Sequence, residues 1–259
     1  MFTFQDKIIL ITGASSGIGA LMAQKLADRG AIPILTARSV DKLQELQSRI
    51  QGTSRIIPMD VTNENQVNAA VSAVIQEYGR IDILINNAGY GVFETFLDTS
   101  ISEFDTMMDV NYMGIVRCTK AVLPHMVAAG QGHIVNIASL AGKIGSAKSS
   151  SYNATKHAVL GLTNALRQEM YGTGIYVTAI NPGPIDTPFF EKADPSGQYV
   201  QNVKMFLLTP DQVVNSMMRA IEKRKAEVNL PFAAAAGIKL YQIFPRLADK
   251  FAYKLINKK

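Results

Sequence analysis

The chain has 259 residues, 47% of them hydrophobic, enough for one large α/β domain or two small ones with a sizeable core. A net charge of +5 suits an anionic cofactor or a membrane surface better than a nucleic acid. One cysteine, Cys118, excludes an internal disulfide, and the scattered His125, His133 and His157 give no zinc signature. The opening residues MFTFQDK lack a basic region followed by a long apolar run, and no segment approaches the roughly 20 apolar residues of a membrane span. The expectation is a soluble, cytoplasmic protein.

Residues Lys7–Thr12 (KIILIT) predict a strand buried on both faces, as in a parallel sheet. Gly13-Ala14-Ser15-Ser16-Gly17-Ile18-Gly19 follows, and Ala20–Arg29 has helical spacing that ends at Gly30. A glycine turn between a first strand and a helix lets the backbone approach a pyrophosphate at the helix N-terminus. The spacing Gly-x-x-x-Gly-x-Gly departs from the usual Gly-x-Gly-x-x-Gly, but its placement makes Gly13, Ser15, Ser16, Gly17, Ile18 and Gly19 candidate dinucleotide contacts. Ile32–Ala37 predicts the second strand. Its end, Thr36-Ala37-Arg38-Ser39, has no carboxylate for a ribose 2′-hydroxyl and has an arginine instead. Arg38 can pair with a 2′-phosphate, which favours NADP(H) over NAD(H); the plainer alternative is a solvated surface arginine.

A helix over Val40–Ile50 and a strand over Arg55–Met59 lead to Asp60-Val61, which could flank an adenine. Asn63–Tyr78 predicts a helix stopped by Gly79. Ile81–Ile85 predicts a fourth strand ending in Asn86-Asn87-Ala88-Gly89. The alternation of strand and helix implies right-handed crossovers, a parallel sheet and a ligand crevice at the C-terminal strand ends. That places Asn87, Ala88 and Gly89 beside a cofactor.

Ile101–Ala128 predicts a long helix with Asn111 in its interior, where asparagine is a poor helix former. Asn111 is either a satisfied polar residue or a deliberate break with a hydrogen-bonding role. His133–Ala138 predicts the fifth strand, with Ser139 at its end, and Ser151–Tyr171 the helix that carries Tyr152 and Lys156. Residues four apart share a helix face. A phenol titrates near about 10, and a neighbouring ammonium is expected to lower that value, with the charge of an oxidised nicotinamide adding to the effect. An exposed helix pair is the alternative.

Ile175–Ile180 predicts a sixth strand before Asn181-Pro182-Gly183-Pro184. Ile185–Leu208 is expected to be long and irregular. Its Phe189, Phe190, Met205, Phe206, Leu207 and Leu208, with Tyr90, Phe93, Leu140 and Ile144, could line an apolar pocket or pack the segment onto the body. Thr209-Pro210 starts a helix to about Arg224, and Glu227–Leu230 is a last strand. In the remaining stretch Leu240, Phe244, Leu247, Phe251 and Leu255 recur at helical spacing beside a basic row, Arg246, Lys250, Lys254 and Lys258. Pro245 should break or restart this helix. A basic amphipathic extension over 232–259 reads as a membrane-surface helix or as one docked on the protein or a partner subunit.

Taken together, Thr12-Gly13-x-x-x-Gly17-x-Gly19, Asn86-Asn87-Ala88-Gly89, Asn111, Ser139, Tyr152-x-x-x-Lys156 and Pro182-Gly183 resemble the short-chain dehydrogenase/reductase family in order and spacing. The resemblance covers nearly residues 5 to 231. It implies a single Rossmann-like domain over 1–231, a doubly wound parallel sheet of about seven strands with helices on both faces, and a mobile substrate lid over 185–208. It also implies a catalytic set of Asn111, Ser139, Tyr152 and Lys156. Tyr152 would exchange a proton with the substrate oxygen, Ser139 would orient that oxygen, and Lys156 would hold the nicotinamide ribose. Asn111 would position Lys156 and link a proton relay to solvent. Arg38 falls where NADP-preferring members carry a basic residue, and Pro182, Gly183, Ile185 and Thr187 fall at the nicotinamide end. The implied function is an NADP(H)-dependent oxidoreductase acting on a hydrophobic ketone or aldehyde, or the matching alcohol, with Tyr90, Phe93 and Phe189 at the substrate, in a homodimer or homotetramer. A 3-oxoacyl thioester reductase and a non-catalytic NADPH-binding regulator are the alternatives.

Overall fold

The computed structural model describes residues 2–243 and Pro245. Seven parallel strands form one sheet: β1 (Ile8–Thr12), β2 (Ile32–Ala37), β3 (Arg55–Pro58), β4 (Ile83–Asn86), β5 (Gly132–Ile137), β6 (Ile175–Pro182) and β7 (Glu227–Leu230). Their order is β3-β2-β1-β4-β5-β6-β7. The chain builds outward from β1 to β3 and then returns to place β4 on the other side of β1, so a crevice opens at the C-terminal ends of β1 and β4.

The strands are apolar on both faces because both are covered. Ile9, Ile11, Leu35 and Ile85 meet Met22, Leu26, Val213 and Met217 on one side. Ile8, Leu10, Ile34 and Leu84 meet Val67, Val71, Val74 and Val122 on the other. Successive strand residues point to opposite faces, so one short isoleucine-rich run serves two cores. The first layer holds α1 (Gly17–Ala27) and α9 (Pro210–Glu222), and the second α3 (Glu64–Tyr78) and α5 (Gly114–Ala129). α2 (Val40–Arg49) links β2 to β3, and α6 (Ser150–Glu169) precedes β6.

Helix ends follow local chemistry. The Asn63 side chain accepts from the amide of Gln66 at the start of α3, and Gly79 at φ 74° stops that helix. Thr209 and Gln212 form a reciprocal capping box on α9, at 3.2 and 3.0 Å.

Three expectations change. The helix after the glycine turn begins at Gly17 rather than Ala20, because Gly17 and Gly19 are part of its first turn. The long helix over Ile101–Ala128 is interrupted: α4 (Ile101–Met108) passes into a five-residue π turn, Asp109–Met113, before α5. Asn111 lies in that turn and is fully buried, as a break with a hydrogen-bonding role requires. The segment over Ile185–Leu208 is not irregular. It contains α7 (Phe189–Ala193), α8 (Gln198–Val203) and a 3₁₀ turn at Lys204–Phe206. Asp194 organises it by accepting from Ser196 Oγ at 2.6 Å and the Tyr199 amide at 2.7 Å.

After β7 the chain forms α10 (Phe232–Ile243). Phe244, Leu247, Phe251, Leu255 and the basic row Arg246, Lys250, Lys254 and Lys258 lie outside the described residues, and so do the neighbours of Pro245. Among the described residues, no helix is long and apolar enough to cross a membrane.

Candidate active site

A cleft of about 1420 Å³ runs from the glycine turn, across the C-terminal ends of β1, β4 and β5, to α10. It exceeds the roughly 300–1,000 Å³ of ordinary small-molecule sites, as a cleft for two molecules would.

At one end, Gly13, Ser15, Ser16, Gly17 and Ile18 form its wall. Gly13 and Gly17 have φ of 65° and 57°, a region that strains other residues. The turn is pinned from behind. Thr12 Oγ1 accepts from the amides of Asn87 and Ala88, both at 3.0 Å. Asn87 Nδ2 donates to the carbonyls of Thr12 and Gly13, both at 3.0 Å. A Cβ at Gly19 would stand 2.4 Å from Asn87 Nδ2 and 2.5 Å from the Gly13 carbonyl oxygen. Gly19 thus lies behind the turn and makes room for this brace. The brace couples the β1 turn to the β4 end, with Ala88 and Gly89 on the cleft wall. Asn86, one residue earlier, faces away: its Nδ2 donates to Asn136 Oδ1 at 2.8 Å inside the protein. The α1 N-cap, Ser16, makes no side-chain cap hydrogen bond, so the first-turn amides are not occupied by it.

The β2 end carries Arg38, with its side chain 78% exposed at the cleft. Asp60 lies across from it, Nη1 to Oδ2 4.0 Å, and is held by Thr62 through its amide at 2.9 Å and hydroxyl at 2.8 Å. Val61 and Lys42 complete this edge. Lys42 was not foreseen; its place one turn after Arg38, in the first turn of α2, was the available signal.

In the middle of the cleft, Ser139, Tyr152 and Lys156 converge from β5 and α6. Ser139 is buried at the β5 end, where its Oγ donates to the Pro182 carbonyl at 3.2 Å and accepts from the Ala141 amide at 3.1 Å. Lys156 is buried and donates to the Ile137 carbonyl at 2.9 Å, with its Nζ 5.6 Å from the Tyr152 ring centroid. Asn111 stands behind the wall. Its Oδ1 accepts from the Tyr90 amide at 2.9 Å, and its Nδ2 donates to the Tyr90 carbonyl at 2.8 Å and to Thr155 Oγ1 at 3.1 Å. Both of its N–H groups are therefore committed to Tyr90 and Thr155. Asn111 and Lys156 meet across Gly89, where a Cβ would stand 2.9 Å from Asn111 Oδ1 and 3.8 Å from Lys156 Nζ.

The Lys156 ammonium by itself does not bring the Tyr152 phenol below its ordinary value. Burial pushes its phenol up to about 12, and the Ser139 hydroxyl pulls only partly the other way. Burial also holds the Lys156 ammonium down, at about 8. Loss of solvation is the leading cause of both shifts.

The Pro182–Thr187 segment closes this region. The Gly183 amide donates to the Leu230 carbonyl at 2.6 Å, Ile185 pairs with Leu208, and Thr187 packs over Gly17, its Cβ 3.7 Å from where a Gly17 Cβ would be. Beyond Tyr152 lies an aromatic wall. Phe93 and Phe189 stand 6.0 and 5.8 Å from the Tyr152 ring, and Tyr199 is 5.0 Å from Phe93. A Cβ at Gly91 would meet Phe189 at 2.9 Å and Tyr152 at 3.2 Å, so this wall needs a glycine there. Tyr90 lines the cleft, donates to Glu103 Oε1 at 2.7 Å and lies under Lys192 Nζ, 3.6 Å from the ring centroid. Of the two alternatives for these residues, Leu140, Ile144, Phe190 and Phe206 line the cleft, Leu208 packs against the core, and Met205 is 88% exposed. Tyr199 and the α10 residues Ala233, Ala234, Gly237, Ile238 and Tyr241 are additions that sequence reasoning missed.

Comparison with known proteins identifies the family of the chain. The family model described as short chain dehydrogenase matches residues 7–197, and the chain belongs to that family. It is similar to an uncharacterized oxidoreductase of Staphylococcus haemolyticus, 37% identical over 231 residues, covering 89% of this chain and 96% of the relative. A solved short chain dehydrogenase/reductase from Burkholderia phymatum, in complex with NAD, is 26% identical with a TM-score of 0.87 over 95% of this chain and 96% of that one. The closed form of a serine dehydrogenase complexed with NADP+ is 33% identical, with a TM-score of 0.78 over 86% and 92% of the two chains.

Proposed function

We propose that the protein is an NADP(H)-dependent oxidoreductase that interconverts a hydrophobic ketone or aldehyde and its alcohol. The observation that carries the reading is the convergence of Ser139, Tyr152 and Lys156 on one cleft with the glycine turn. The turn suits a dinucleotide because its backbone is bare at Gly13 and Gly17 and the α1 amides are not occupied by the Ser16 side chain. Ser15, Ser16 and Ile18 would hold the diphosphate; Asp60, Val61 and Ala88 would flank the adenine; Gly89, Lys156, Pro182, Gly183, Ile185 and Thr187 would hold the nicotinamide end. The strand end Thr36–Ser39 carries Arg38 and no carboxylate, with Lys42 one turn on and Asp60 4.0 Å across, which fits a 2′-phosphate.

When bound, the reduced nicotinamide supplies a hydride to the carbonyl carbon. The Ser139 hydroxyl orients the substrate oxygen, and Tyr152 gives that oxygen its phenolic proton as the carbonyl π bond breaks, leaving an alcohol. A phenol at about 12 is protonated at neutral pH and so is set for reduction. Oxidation needs the phenolate, which calls on positive charge from Lys156 and from an oxidised nicotinamide. Asn111 positions the Tyr90 backbone and Thr155, the residue before Lys156. We read the assembly as a homodimer or homotetramer. The membrane-surface reading of residues 232–259 rests on their sequence; liposome co-sedimentation of the intact chain and of a chain ending at Pro231 tests it, and equal failure to bind removes it.

A panel of carbonyls and alcohols, followed by the absorbance of the reduced nicotinamide with each cofactor, tests the function. Turnover favouring NADPH on apolar carbonyls is expected. Preference for NADH would overturn the role of Arg38, and tight NADPH binding with no turnover would favour a regulator.

A further inference from the structure

The helix α10 has a composition its own packing does not explain. Of the residues Phe232–Ile243 only Ala235 is buried, and Phe232, Leu240 and Ile243 are 82%, 62% and 66% exposed. Its Ala233, Ala234, Gly237, Ile238 and Tyr241 recur at helical spacing and line the cleft that contains Ser139 and Tyr152. Gly237 sits mid-helix, where glycine is unfavourable relative to alanine. Its φ is not in the left-handed region, and a Cβ there would meet no atom of the described residues within 4 Å, so neither backbone geometry nor crowding by those residues requires it. Open cleft stands over it.

The helix is nevertheless fixed in place. Gln242 Nε2 donates to the Lys143 carbonyl at 2.7 Å, four residues after Ser139. Lys143 Nζ in turn pairs with Glu227 Oε1 of β7 at 2.5 Å. At its other end the helix follows directly from β7, its first-turn bond running from the Ala235 amide to the Pro231 carbonyl at 3.2 Å. The α10 wall is thus tethered to the same loop that carries Ser139. Leu140, Ile144, Phe189 and Phe206 line the same cleft and give it apolar and aromatic surface.

We propose that α10 is the specificity wall of this cleft and selects a ketone or secondary alcohol with an extended apolar chain. The reacting carbon lies at Ser139 and Tyr152, and the chain runs over Ala233, Ala234 and Gly237. This inference rests on the reading of Tyr152 and Ser139 as the carbonyl site. A chain lying on α10 also gives the glycine a purpose: a missing side chain leaves its backbone open to close approach by the ligand. A short ketone reaches Tyr152 but leaves this surface wet, so it gains nothing from α10.

The test uses the full chain with a homologous series of methyl ketones, from short to long, and two variants, Gly237→Phe and Ala234→Leu. Both sites are exposed, so each variant can be checked for an intact fold by its melting curve and its NADPH binding. Wild type should show kcat/KM rising with chain length until the chain passes α10. Each variant should lower kcat/KM for the longest ketone about tenfold more than for the shortest, the equivalent of roughly two buried methylenes. A wild-type profile flat with length, or losses equal across the series in both variants, would overturn the inference and leave the carbonyl site standing. No turnover of any ketone or of the matching alcohols by wild type would remove both.

Discussion

Arg38 and Tyr152 each carry one separable consequence. Arg38 has its side chain 78% exposed and shares its surroundings with Asp60, so its attraction for a 2′-phosphate is a partly screened one. Arg38→Ala should raise the KM for NADPH about 10- to 100-fold, the range of a hydrogen bond to a charged group, with little change for NADH. Steady-state kinetics with both cofactors checks this, and equal losses would show that the residue does not read the phosphate. For Tyr152 the sign of the pH dependence follows from its protonated state. With a phenol pushed up to about 12, alcohol oxidation should gain rate as pH rises below that value, whereas carbonyl reduction should not. Initial rates in the two directions between neutral and alkaline pH test it; an oxidation rate that is flat with pH would place the proton elsewhere. Gly19 is a residue whose purpose is hidden in sequence. Its spacing marks a phosphate turn, yet its missing Cβ serves the Asn87 brace behind that turn.

The elements differ in how far they could be read. The capping box of α9 was visible as Thr209-Pro210 before an amphipathic run. Thr209→Ala should cost about 1 kcal/mol, measured by urea unfolding, because the Gln212 amide in the first turn loses its side-chain acceptor. The five buried strands β1, β2, β4, β5 and β6 and the half-buried edge strand β3 were legible because each is a short β-branched or leucine run between turn residues, with the sheet's parallel order implied by the helices between them. β7 was also found, though its residues are only half-buried. The π turn at Asn111 was only half legible: a poor helix former flagged the place, but the i to i+5 pattern depends on the buried contacts of Asn111 with Tyr90 and Thr155. The α7 and α8 helices were illegible because they are one to two turns long and are held at their junction by the Asp194 side chain, a local turn bond that no period reveals. The α10 wall was missed for another reason. Its alanine-rich run has high helix propensity but little amphipathic contrast, so the sequence indicates a helix and not the face it turns to the cleft.

At the scale of the whole molecule, the sheet joins two ends with different duties. Its C-terminal edge holds the cleft, and its N-terminal edge holds a buried polar cluster. There His133 Nε2 meets Thr178 Oγ1 at 2.7 Å, and Thr178 donates to the Lys225 carbonyl at 2.6 Å, which leaves the His133 nitrogen as donor. Burial first, and then the Arg224 guanidinium, holds His133 down at about 4, below its ordinary 6.5. The unfolded chain therefore binds a proton that the folded chain refuses between those values. This contribution to stability is complete above about 6.5 and is lost as pH falls toward about 4, by on the order of 3 kcal/mol. Urea midpoints across that window should fall more steeply for wild type than for His133→Gln; parallel slopes would remove His133 as the cause. The central claim concerns the opposite edge, where a phenol, a hydroxyl and an ammonium share the cleft with a phosphate turn. It is tested most directly by titrating NADPH into Tyr152→Phe and wild type and then following NADPH oxidation with a carbonyl that wild type reduces. The account predicts equal NADPH affinity and at least a 10²- to 10⁴-fold lower turnover in the variant, the range for loss of a positioned proton donor. Turnover by Tyr152→Phe at the wild-type rate would contradict it.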